Sequence, residues 1–144
     1  AGPVRVTWNA WQGAPGAGKP AATRTARIFI LPNGMTPVGI SGDENAVFGS
    51  ESNGTVVAWN RADGKRLWVS ERLRYRHLSA PLLLGRSVVV GDDTGLVHFL
   101  SREDASPLNR IGTDSSPIDV APVAAADTLV VVTRSGGVFG FRPD

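Results

Sequence analysis

The 144-residue chain has no cysteine and only one methionine and one tyrosine. Without thiols it can build no disulfide scaffold, no thiolate metal site and no cysteine nucleophile. Long apolar runs are missing too. No stretch approaches the roughly 18–20 residues of a membrane helix, and the first residues lack the charged-then-apolar layout of a signal peptide. Charge of one sign is scarce: 15 Lys plus Arg stand against 13 Asp plus Glu, a net charge of +2. That balance makes neither a nucleic-acid surface nor a membrane surface. What is present is a folding composition, with 42% hydrophobic and 19% charged residues.

Gly 17 and Pro 10 are too frequent for long helices. The apolar residues come in short, valine-rich bursts: Arg27–Leu31, Val56–Trp59, Ser87–Val90, Leu96–Leu100, Thr128–Val132 and Val138–Phe141. Gly, Asp, Asn, Ser or Pro bounds each one, which is the signature of strands. Only Ser70 to Leu78 could be written as a short helix. The chain therefore reads as all-β.

Those bursts repeat. Asn53-Gly54-Thr55-Val56-Val57-Ala58-Trp59 aligns with Thr94-Gly95-Leu96-Val97-His98-Phe99-Leu100 and with Gly136-Gly137-Val138-Phe139-Gly140-Phe141. Gly54, Gly95 and Gly137 serve as anchors near a 42-residue period, and each repeat opens on a proline followed by an apolar residue (Pro37, Pro81, Pro122). Asn53-Gly54 and Asp63-Gly64 accept the positive φ that tight hairpins need. Four antiparallel strands per period make a propeller blade, which buries its faces only against neighbouring blades; a sandwich of short strands is the alternative. The reading is a partial or shortened β-propeller of about three blades at 36–71, 78–111 and 118–144. The last lacks its fourth strand. Pro3–Trp8 looks like a fourth strand with no blade ahead of it, so residues 3–9 are expected to pair with 137–142, within one chain or between copies that complete a larger propeller. Residues 1–35 otherwise read as a closing strand and a Gly/Pro/Ala-rich linker.

Ala58-Trp59-Asn60-Arg61-Ala62-Asp63-Gly64-Lys65-Arg66-Leu67-Trp68 resembles the tryptophan-docking repeat of quinoproteins. The repeat implies that Trp68 tucks between blades, and Val4–Trp8 looks like the outermost strand comparable with Lys65–Trp68. The second copy replaces the turn glycine with Ala105 and the Trp with Asn109. Among families that carry this repeat, residues 53–144 are similar to the C-terminal blades of the BamB family of outer-membrane assembly lipoproteins. The residues that carry this likeness are Gly64–Trp68, Arg76–Pro81, Val89–His98 and Gly136–Arg142. The resemblance implies a non-enzymatic scaffold without cofactor at the periplasmic face of the bacterial outer membrane. By the same resemblance it would contact the barrel-assembly protein BamA and help β-barrel precursors insert. The family's lipidated N-terminal Cys has no counterpart in this sequence. The alternative is a fragment of a quinone (PQQ)-dependent dehydrogenase or of a ligand-sensing propeller.

Gly13–Lys19 spells a phosphate-binding loop only superficially. Pro20 stands where the motif needs a hydroxyl, and no helix pattern follows. The acidic pairs Asp43-Glu44, Asp92-Asp93 and Glu103-Asp104 could contribute to a calcium site but fall in expected hairpin turns. His77 and His98 have no second ligand nearby in sequence. The strongest local signal is Glu71-Arg72-Leu73-Arg74-Tyr75-Arg76, where arginines alternate with Leu and Tyr in a connection between blades. Arg and Tyr are favoured anchors at protein interfaces. Arg72, Arg74, Tyr75 and Arg76 are therefore the candidate partner-binding residues, with no catalytic, cofactor or metal residue assigned.

Overall fold

A computed structural model describes residues 37–142, together with two short strands, β1 (Arg5–Val6) and β2 (Phe29–Ile30), which pair antiparallel. The rest of the Gly/Pro/Ala-rich stretch, and Trp8, lie outside the described residues.

Three antiparallel sheets follow in chain order. The first contains β3 (Pro37–Gly42), β4 (Ala46–Glu51), β5 (Val56–Asn60) and β6 (Arg66–Ser70). The second contains β7 (Leu82–Leu84), β8 (Ser87–Gly91), β9 (Leu96–Ser101) and β10 (Pro107–Gly112). The third contains β11 (Val123–Ala125), β12 (Thr128–Val132) and β13 (Val138–Phe141). Strands are adjacent in sheet order as in sequence, the up-and-down meander of a propeller blade. The all-β propeller reading holds, and Ser70–Leu78 forms turns rather than a helix. Among the described residues nothing pairs with the outer side of β13. Arg5 and Val6 pair with Ile30 and Phe29 rather than with 137–142.

The unbroken valine runs reflect burial on both faces. Side chains alternate across a strand, so Val88 and Val90 face the first sheet while Val89 faces the third. Val88 and Val90 pack with Phe48, Val56, Ala58, Leu73, Leu78 and Leu100. Val89 packs with Val97, Ile118, Leu129 and Val131. All three valines are wholly buried, each worth about 1.5–3 kcal/mol of transfer free energy. Trp68 lies at the first joint. Its ring is tilted 45° against Phe48 at 5.9 Å, and its Nε1 donates across the joint to the Arg102 carbonyl at 2.9 Å.

The three β-hairpins between second and third strands share one hydrogen-bond plan. Gly54 N–H donates to Glu51 C=O, Gly95 to Asp92, and Gly136 to Thr133. Returning bonds run from Glu51, Asp92 and Thr133 N–H to Thr55, Leu96 and Gly137 C=O. Gly54, Gly95 and Gly136 all have positive φ (94°, 79° and 93°), the conformation glycine adopts without steric cost. The turn glycine of the third repeat is thus Gly136, not Gly137, and the spacing is 41 at both steps. Gly137 is needed for another reason: a Cβ there would stand 2.6 Å from the Phe139 ring and 2.7 Å from Asp114 Oδ2. In the degenerate second copy, Ala105 keeps the bond that Gly64 makes, donating to Ser101 as Gly64 does to Asn60. It does so at φ 62°, close to the 73° of Gly64.

Candidate functional site

The connection from β6 to β7 carries the expected partner-binding residues, and its shape follows from what it grips at each end. Leu73 is buried in the first joint, and its carbonyl accepts from Arg76 N–H, closing a tight turn. Tyr75 N–H donates to the Asn53 carbonyl of the first hairpin at 2.8 Å. The connection lies so close to that hairpin that a Cβ on Gly54 would sit 1.9 Å from the Leu73 oxygen. At its far end Ser79 N–H donates to Gly91 C=O, and Ser79 Oγ accepts from Gly91 N–H. The Ser79 carbonyl accepts the buried Ser50 hydroxyl. A segment without regular structure is thereby stitched to both blades.

Its four candidate residues divide into two kinds. Arg72, Arg74 and Tyr75 are exposed. Tyr75 is 86% exposed and has φ 70°, a left-handed conformation that costs a bulky residue about 1–2 kcal/mol. The Arg74 guanidinium lies 5.5 Å from the Tyr75 ring centre, and Arg74 pairs with Glu71 at 3.5 Å. Arg76 instead turns inward. Its Nη1 donates to Asp92 Oδ2 at 2.7 Å and to Thr94 Oγ1 at 3.3 Å.

Asp92 is the hub of the second hairpin and is wholly buried. Its Oδ1 accepts from Thr94 N–H, Thr94 Oγ1–H and Leu96 N–H at 2.7–3.1 Å. Its Oδ2 takes Arg76 and lies 2.7 Å from His98 Nε2. An ionised carboxylate can only accept, so that nitrogen carries the proton. Burial alone would raise the Asp92 carboxyl. The donors from His98, Thr94 and the Leu96 amide outweigh it and hold the group well below the ordinary carboxylate range. Sequence alone points to Asp92 only as a calcium candidate and shows no second ligand near His98. The repeat does align Asp92 with Glu51 and Thr133, which occupy the same hairpin position in the other two blades.

At that position in the first blade, Glu51 is equally buried, yet among the described residues neither carboxylate oxygen has a hydrogen-bond partner, nor does the nearby Thr55 hydroxyl. Burial raises its pKa, opposed weakly by Arg66. Of the remaining acidic candidates, Asp43 and Asp104 serve turns, and Asp93 accepts from His77 N–H of the connection. Burial would raise Asp43, but the Asn45 and Ala46 amides and the Arg102 guanidinium, at 2.8 Å each, lower it. Asp104 accepts from Ser106 N–H. Among the described residues no three His, Asp or Glu side chains gather as metal ligands.

Residues 6–144 match the family described as outer membrane protein assembly factor BamB. The chain belongs to that family. It is 49% identical over 105 residues to the outer membrane protein assembly factor BamB of Burkholderia pseudomallei, a stretch covering 73% of this chain and 28% of the relative. BamB from Moraxella catarrhalis has a similar crystal structure, with TM-score 0.71 and 28% identity, covering 83% of this chain and 34% of that one. The WD40 repeats of RRP9 share the fold at TM-score 0.69 with 14% identity over 78% of this chain and 37% of that one. The chain thus spans under a third of the length of the curated BamB relative. No helix among the described residues is long and apolar enough to cross a membrane.

Proposed function

We propose that the chain supplies blades to a non-enzymatic propeller scaffold that works in outer-membrane protein assembly at the periplasmic face of the membrane. Its exposed connection would meet a protein partner, by resemblance BamA or an unfolded barrel precursor. The family membership supports the assembly role. The observation that carries the surface is Tyr75: an almost fully exposed aromatic held in a costly left-handed conformation, with Arg74 against its ring. Strain at an exposed residue persists only where the surroundings enforce it. Here the bond to Asn53, the buried Leu73 and the Arg76–Asp92 pair enforce it. Tyr supplies large contact area with only two torsions to freeze, and both Tyr and Arg are enriched at interface hot spots. In this reading Arg76 orients the surface from behind, while Arg72, Arg74 and Tyr75 meet the partner.

The test replaces Arg72, Arg74 and Tyr75 together with Ser and measures binding of purified BamA. Affinity should fall at least tenfold, with the unfolding midpoint nearly unchanged. Undiminished binding by a folded variant would remove the proposal, and a collapse of stability would assign the three residues to the fold instead.

A further inference from the structure

A cleft of about 480 Å³ opens between the connection and the outer half of the second blade. On one side stand Arg72, Leu73 and Arg76; on the other are His98 and Leu100 of β9 and Pro107, Leu108, Asn109 and Arg110 of β10. No carboxylate lines it. Asp92 lies behind Arg76 and is already engaged by it and by His98. Arg72 and Arg110 are exposed, as is the apolar Leu108. The cleft is therefore basic at its rim, with apolar groups between the cations.

Its second wall is an open sheet edge. β10 pairs with β9 alone, and no other described strand covers its outer side. A bulge between Pro107 and Asn109 twists the strand at the cleft. Pro107 and Arg110 could be read as devices that keep an edge from aggregating. The comparable edge, β6, shows the difference. The hollow beside it is lined by Glu71 and Asp104 as well as Arg72, two carboxylates against that one cation. Of these two hollows only the β10 cleft is lined without a carboxylate, and it adjoins an edge whose Arg110 N–H is met by the neighbouring Asn109 side chain at 2.8 Å.

We propose that this cleft takes an extended, acidic segment of a protein partner, which adds as a fifth strand to β10 and sets alternate carboxylates against Arg72 and Arg110. Strand addition draws affinity from main-chain hydrogen bonds and specificity from every second side chain. The proposal shares Arg72 with the partner surface above and rests on that reading only to this extent.

The probe is a capped ten-residue peptide alternating Glu and Thr, with a Lys–Thr peptide as its counterpart. Both are titrated into the whole chain and followed by amide chemical shifts and hydrogen exchange. The Glu peptide should shift and protect amides within Leu108–Ile111, and Arg72→Ser with Arg110→Ser should weaken it at least tenfold while the spectrum stays dispersed. Equal binding of both peptides, shifts confined elsewhere, or none at millimolar peptide would overturn the proposal. So would phosphatidylglycerol vesicles moving the same amides while the peptide stays silent. Arg74→Ser with Tyr75→Ser should leave the peptide's affinity intact, which separates failure here from failure of the BamA surface.

Discussion

The first and second blades present the same hairpin with opposite electrostatics. In the second, a buried Asp92 is met by His98, Thr94, the Leu96 amide and Arg76. In the first, Glu51 is as deeply buried and unmet. Backbone register is identical at the two sites, so the hairpin itself does not dictate the chemistry inside it. The Asp92 site is answered partly by a residue from the connection entering its blade, because Arg76 lies ahead of β7. The comparison teaches that a blade's polar interior is completed by the chain that precedes it.

Removing the hub should have the largest effect. Asp92→Ala leaves Arg76, His98 and two turn amides unanswered. Breaking a buried ion pair costs about 3–5 kcal/mol, and because Arg76 is a third exposed the expected loss is near 3 kcal/mol by urea unfolding. A loss below 1 kcal/mol would mean that water replaces the carboxylate readily. The turn glycines come next. Gly54→Ala combines the left-handed cost of about 1–2 kcal/mol with a collision against Leu73 C=O, for a total of about 2–4 kcal/mol. Gly136→Ala meets nothing within 4 Å and should cost only the conformational part. Equal losses would show that the connection moves aside freely.

Glu51→Met should do the reverse of Asp92→Ala, because it removes a buried polar group whose unmet desolvation is worth about 1–3 kcal/mol. A raised unfolding midpoint at pH 7 is expected, and a lowered one would mean that Glu51 has a partner after all. The pH dependence sharpens the contrast with the smallest signals. The depressed Asp92 contributes stability that is complete above the ordinary carboxylate pKa of about 4 and fades as pH falls towards its folded value. The raised Glu51 acts oppositely: the native state holds its proton longer, so stability falls as pH rises from about 4.3 to its folded value. Glu51→Met should flatten the second slope and leave the first.

Much of this arrangement was readable in the residues. Strands, hairpins and the blade count followed from valine-rich bursts and Asn-Gly or Asp-Gly turns, because local chemistry fixes those features. Spacing points to Gly137 as the third turn glycine because two glycines adjoin there, and only the sign of φ separates Gly136 from its neighbour. The exposed Arg72, Arg74 and Tyr75 were visible as an unusual alternation. That Arg76 faces inward was not, since its partner lies 16 residues away across the joint. The Asp92–His98 contact needed strand register, which pattern alone does not supply. The pairing of Arg5 and Val6 with β2 was hidden because a two-residue strand has almost no periodicity.

The equal steps from Gly54 to Gly95 to Gly136 also make length a quantised property of this chain. A whole 41-residue unit added or removed between equivalent turn positions returns every hairpin bond and every valine to the same face. One extra residue inside a strand turns the remaining side chains to the opposite face. Changes in length are therefore tolerated in two sizes, the full unit or a few residues in a loop, where each doubling of loop length costs only about 0.6 kcal/mol.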